Sequence, residues 1–180
     1  MAVYQAEGRC FKGMLSIKRG KDGTGLRLLR TALDELRETG VVLHNSAFLG
    51  ALAEGLAGAG HVAEGLAAVE AALEWSESRE ERWCVAELLR VKGELVLLEN
   101  GPDAAAAAEN YFRQALDGAR RQGALSWELR AAASLARMWR DQGRSKEAHE
   151  LLARVYDRFT EGFDTADLKA TKALLDELAA

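Results

Sequence analysis

Gly143-Arg144-Ser145-Lys146-Glu147-Ala148-His149-Glu150-Leu151-Leu152-Ala153-Arg154-Val155 is the stretch that decides how this chain folds. Gly143 marks a turn and Ala148 follows five residues later. Leu152 and Val155 then stand at +4 and +7 from Ala148, the spacing of one helix face. The figure recurs upstream. Ala108 leads to Phe112 and Ala115-Leu116, Gly65 to Val69 and Ala72-Leu73, and Gly25 to Leu29 and Ala32-Leu33. Along the chain these four anchors are spaced 40, 43 and 40 residues apart. Gly20 and Gly60 precede their anchors as Gly143 does, whereas the third unit carries the longer turn Glu99-Asn100-Gly101-Pro102-Asp103, which takes up the extra three residues.

Self-similarity at this period is the mark of a helical repeat array. A small anchor lets two helices cross closely, because a larger side chain would hold their axes apart. A glycine before it suits the left-handed conformation that ends a helix. Pro102 fits the first turn of a helix, where its missing N–H does no harm. The expected fold is all-α: four helix pairs in one domain spanning 1–180, with repeats at about 1–40, 41–79, 80–123 and 124–160. First helices are predicted at about 2–19, 43–59, 80–98 and 125–142, and their partners at about 23–38, 62–76, 103–121 and 145–158. Ser78 and Glu81 read as a capping box for the fifth helix. A ninth helix, within 164–178, is expected to cap the stack. Asp164 reads as its N-cap, with Phe163 and Leu168 as a hydrophobic staple. No such cap is read at the N-terminus, so the chain is expected to be either complete or a segment of a longer protein.

Composition agrees. Hydrophobic residues make up 48% and charged residues 29% of the 180, with one proline. Ala, Leu, Glu and Arg dominate, side chains that lose little freedom in a helix. A net charge of −4 argues against a general nucleic-acid surface. Cys10 and Cys84 lack metal-ligand or redox spacing, and no apolar run approaches the ~20 residues of a membrane span. A cytoplasmic protein with no membrane contact is therefore expected.

The last pair, Leu135-Ala136-Arg137-Met138-Trp139 through Gly143 to Lys146-Glu147-Ala148, resembles the tetratricopeptide signature. That resemblance implies a right-handed α-α superhelix of tetratricopeptide-like pairs. Three longer stretches, 86–95, 119–132 and 155–165, are similar to the C-terminal repeat region of bacterial, rhizobial-type multidomain regulators. Those regulators join a nucleotide cyclase or a winged-helix domain to a signalling NTPase module. The resemblance implies a regulatory part without catalysis of its own, and it carries over no catalytic residue.

Other constellations read as structure. Gly20-Lys21-Asp22-Gly23-Thr24-Gly25 lacks the Lys-Ser/Thr of a phosphate loop and reads as an inter-helix turn. His44, His61 and His149 have no partners at metal-ligand spacing, and Ser126 and Ser134 have no histidine nearby to activate them. No enzyme, metal or cofactor is expected. Trp83, Trp127 and Trp139 read as core or inter-repeat packing.

Taking Gly93 and Ala136 as equivalent close-packed positions puts Glu87, Arg90, Glu94 and Leu97 on the groove face of the fifth helix. On the seventh it puts Arg130, Ala133, Arg137 and Arg140 there. Guanidinium groups at this spacing suit a carboxylate-bearing peptide or a phosphate, or pairing with acids of neighbouring repeats. The expected partner is a peptide, a helix or another domain, an upstream domain of the same regulator included. The rival expectations are a small-molecule or nucleotide sensor whose arginines hold an anion, and a homo-oligomer.

Overall fold

A computed structural model describes residues 2–39 and 44–179. Within them the chain forms nine helices: α1 (Ala2–Lys18), α2 (Asp22–Thr39), α3 (Asn45–Gly58), α4 (Val62–Ser78), α5 (Val85–Glu99), α6 (Ala104–Gln122), α7 (Leu125–Asp141), α8 (Ser145–Tyr156) and α9 (Ala166–Leu178). The described residues contain no strand, and none of their helices is long and apolar enough to cross a membrane. The repeat boundary expected between residues 40 and 41 lies outside the described residues.

Each helix packs on its successor. Each odd-numbered helix also packs on the next odd one, from α1 through α9, whereas no two even-numbered helices pack together. The helices therefore form two rows, a continuous odd row and a spaced even row. Small side chains make the crossings close. A Cβ on Gly25 would stand 2.8 Å from the Gly13 carbonyl oxygen across the α1–α2 crossing. A Cβ on Gly65 would stand 3.3 Å from the Ala53 carbonyl oxygen across α3–α4, and Ala108 and Ala148 are wholly buried at the equivalent places in α6 and α8. Gly93 in α5 receives the ring of Phe112, whose nearest carbon would lie 2.5 Å from an added Cβ.

The core follows the repeat. One apolar cluster joins α1, α2 and the start of α3, a second joins α3, α4 and α5, and a third fills the stack from α6 to α9. α7 lies deepest, with Glu128, Ser134 and eight apolar residues buried along it. α9 sets Leu168, Leu174 and Leu175 against this third cluster.

The turns differ in places from the sequence reading. Gly20, Gly60 and Gly143 take positive φ as expected, and in the third unit Asn100 (φ 56°) takes that role. The three extra residues of this unit are shared among the end of α5, the turn and the start of α6. Pro102 precedes the N-cap Asp103 rather than entering the helix. α5 begins at Val85, not near 80, because Glu80 adopts φ 56° and the chain crosses from α4 in a six-residue link. The expected Ser78–Glu81 capping box does not form. Ser78 closes α4 by donating to the Trp75 carbonyl, and Glu81 accepts from Ser46. The N-cap of α9 is Thr165 rather than Asp164. This shift by one residue breaks the staple register: Phe163 stays half-exposed against Tyr156 while Leu168 is buried.

Candidate functional site: the face of the odd helices

Ala53, Gly93 and Ala136 occupy matching close-packed places in α3, α5 and α7, and the residue after each is charged: Glu54, Glu94 and Arg137. Because the odd helices pack side by side, these residues and their helical neighbours meet across repeats. Glu54 is the hub. Its carboxylate accepts hydrogen bonds from Arg90 (2.8 Å), Arg130 (3.0 Å) and Lys18 (3.0 Å). Arg90 donates two further bonds to Glu87 at 2.9 Å each, and it approaches Glu94 at 3.6 Å. Arg130 also pairs with Glu87 and comes within 3.9 Å of Asp167. An unbroken series of charges thus runs from α1 to α9 through every odd helix.

Burial sets its electrostatics. Desolvation alone would raise the Glu54 carboxyl, but Arg90, Lys18 and Arg130 outweigh it and hold it down to about 2. Arg90, only 7% exposed along its side chain, is likewise disfavoured by burial. The carboxylates of Glu87, Glu54 and Glu94 more than compensate and hold its charge. A buried arginine with three acids around it is a fixed structural cation.

The residues singled out from the sequence fall into distinct places. Glu87, Arg90 and Arg130 belong to the interior of the charge series. Arg137 is half-exposed, donating to Glu94 at 3.1 Å and Ser134 at 3.2 Å, while Ser134 donates to Glu94 at 2.5 Å. Arg140 turns to the C-terminal end and pairs with Asp141 at 2.9 Å and Glu177 at 3.0 Å. Leu97 packs into the third apolar cluster. Ala133 lines a small recess of about 220 Å³ with Arg130, Arg137, Asp167 and Thr171. Sequence reasoning missed Glu54, Lys18 and Asp167. The signal for Glu54 was present, since carrying the Gly93/Ala136 register one repeat back lands on it.

Beside the charges runs a row of rings. Phe11 of α1 meets His44 edge-on with centroids 5.8 Å apart. His44 meets Trp83 at 6.0 Å, and Trp83 meets Trp127 of α7 at 6.0 Å. The row crosses every repeat from the first to the fourth. The tryptophans do pack between repeats, yet Trp83 remains 43% exposed and Phe11 50%. Beside Trp83 opens a largely apolar recess of about 240 Å³, lined by Met14, Ala47, Ala51 and Trp127 and by the charged Lys18, Glu54, Glu87 and Arg130. Trp139 instead lies in the core, with Arg144 over its ring at 4.4 Å.

The remaining constellations resolve as local structure. The Gly25 amide donates to the Lys21 carbonyl at 2.9 Å, so the glycine-rich stretch is the turn into α2 and its first helical turn. His61 is exposed, 3.4 Å from Glu64. Among the described residues no three His, Cys, Asp or Glu side chains are grouped to hold a metal ion. No protein-family model matches the chain, and no curated protein matches it.

Proposed function

We propose that the chain is a right-handed superhelix of four tetratricopeptide-like pairs closed by α9, and that it works as a non-catalytic interaction and sensing module in the cytoplasm. A continuous odd row beside a spaced even row supports a curved stack with the odd helices on the concave side. Its groove would receive a peptide, a helix or a domain of a bacterial signalling or transcription regulator. One observation carries this reading: the aromatic row from Phe11 to Trp127, with Trp83 half-exposed beside a largely apolar recess. Rigid aromatic surface next to paired charge is what interaction hot spots are made of. Arg137 supplies a cation at the groove edge. The rival anion-sensing reading is weaker, because a phosphate would have to displace Glu54, Glu87 or Glu94 from the arginines that hold them.

The test is a display selection of peptides on the folded protein, followed by affinity measurement at two salt concentrations. Selected peptides are expected to bind the parent and to lose at least tenfold on Trp83→Ala and on Arg137→Ala. Peptides that bind both variants like the parent would place the site elsewhere.

Self-association is a second reading, favoured by one feature. Tyr4, Phe11 and Leu15 lie along one side of α1 and are 77%, 50% and 49% exposed. Light-scattering mass over a concentration series decides it: a constant ~20 kDa excludes it at those concentrations, and a rising mass supports it.

A further inference from the structure

On the other side of the molecule, where α4 and α6 fail to meet, a cleft of about 450 Å³ opens between them over α5. This size lies within the usual range of small-molecule sites, roughly 300–1,000 Å³. Its floor is apolar, built by Leu73, Val85 and Leu89 with Ala86 at the wall. Its rim is polar: Arg82 stands in the α4–α5 link, Gln114, Arg121 and Gln122 stand on α6, and Glu77 stands on α4.

Three observations mark the cleft as more than a packing gap. Ser76, 1% exposed, lines it, and its hydroxyl has no hydrogen-bond partner. The Cys84 thiol senses that hydroxyl as a weak hydrogen-bonding neighbour, although the pair falls short of regular hydrogen-bond geometry. A buried hydroxyl left in this state is costly unless something else supplies the partner. Next, Gly118 sits in the interior of α6, where glycine weakens a helix. Gly13, Gly25, Gly50, Gly55, Gly65 and Gly93 are explained by packing, since an added Cβ would collide at 2.5–2.8 Å. Gly118 is not, because a Cβ there would reach Ala86 only at 3.6 Å, an ordinary contact. What its missing side chain leaves is room for one methyl group where α6 passes Ala86 at the wall of the cleft. Finally, neither Arg82 nor Arg121 pairs with a carboxylate among the described residues, although Glu77 shares the rim.

An apolar floor, a buried hydroxyl with unused capacity and two uncommitted guanidinium groups define one kind of occupant. We propose that the α4–α6 cleft binds a small amphipathic carboxylate. The apolar body lies on Leu73, Val85 and Leu89 alongside Gly118 and Ala86, and the carboxylate is held at the rim by Arg82 and Arg121. This site lies apart from the odd-helix groove and stands or falls independently of it.

The experiment uses a matched set of probes, 4-phenylbutyrate, 4-phenylbutylamine and 4-phenylbutanol, each titrated into the ¹⁵N-labelled full chain and followed by amide chemical shifts. 4-Phenylbutyrate is expected to give saturable shifts centred on Ser76, Ala86 and Gly118, and to bind at least tenfold more tightly than the amine. Gly118→Leu, which fills the cleft, is expected to abolish the shifts. The Arg82→Ala/Arg121→Ala double variant changes only exposed side chains and keeps the fold, and it is expected to weaken the acid at least tenfold and leave the alcohol unchanged. Equal binding of acid and amine would overturn the proposal. So would shifts centred elsewhere, unchanged binding in the double variant, or no saturation at millimolar probe.

Discussion

Replacing glycine by alanine at two helix-interior positions should change stability in opposite directions. At Gly118 of α6 the new methyl enters ordinary contact with Ala86 at 3.6 Å, so only the helix term operates. Alanine is the better helix former by about 1 kcal/mol. For a chain of this size that corresponds to a melting temperature higher by about 2–4 °C. At Gly25 the same helix gain applies, but the methyl would stand 2.8 Å from the Gly13 carbonyl oxygen, 3.0 Å from the Ile17 amide nitrogen and 2.5 Å from Ile17 Cγ1. Two of those three atoms are backbone and cannot swing aside, so α1 must retreat from α2. Overpacking costs roughly 1–3 kcal/mol, and a backbone collision belongs at the upper end. Set against the helix gain, the net loss is about 2 kcal/mol, or a melting temperature lower by about 4–8 °C. Both variants are read by circular dichroism at 222 nm, in thermal and urea unfolding. A Gly25→Ala protein that melts at or above the parent would refute the close crossing of α1 and α2. A Gly118→Ala protein that melts below it would refute the unstrained fit of a methyl group against Ala86.

Two further outcomes are expected. Glu54→Gln removes the central acid while Arg90 keeps Glu87, so the loss should be about 2 kcal/mol, below the roughly 3–5 kcal/mol of stranding a buried charge completely. Because the folded-state pKa of Glu54 lies below its ordinary value of 4.5, this contribution is complete above about pH 4.5 and disappears as pH falls toward about 2. Urea stabilities of parent and variant should therefore converge over that window, and a gap that persists at the acid end would count against the hub. Cys10 is wholly buried, and desolvation together with Glu7 pushes its thiol up to about 11; burial likewise raises Cys84. Neither should react with iodoacetamide at neutral pH until urea unfolds the chain, as followed by mass spectrometry.

Helix positions were legible because periodicity and small-residue anchors act locally. Gly25, Gly65, Ala108 and Ala148 announce the crossings whatever lies around them. The misreadings fall where two local signals compete. Ser78 followed by Glu81 has the pattern of a helix start, yet the same serine ends α4, and only the left-handed turn at Glu80 decides between them. The charged face was legible as a face: helical spacing put Arg90, Arg130 and Arg137 on one side of their helices. Their partners were not, because the ion pairs join residues up to 76 positions apart, as between Glu54 and Arg130. The α4–α6 cleft was invisible, since it arises from two helices that do not meet and from a glycine whose meaning depends on what surrounds it.

The division of the core into three apolar clusters has a mechanical consequence. Apolar packing is strong within a cluster and thinner at its borders, so each border acts as a joint along the stack. Two ion pairs of the odd row cross those joints: Lys18 to Glu54 links α1 to α3, and Arg130 to Glu87 links α5 to α7, while Arg90 to Glu54 braces the second cluster from within. Charges of this kind act as tie-rods whose tension depends on the ions around them, more strongly at the half-exposed Lys18 than at the largely buried Arg130. Stiffness therefore grows from the α1 end inward. Of the two joints, the one between α1 and α3 is thus the more compliant, and added salt should loosen it first.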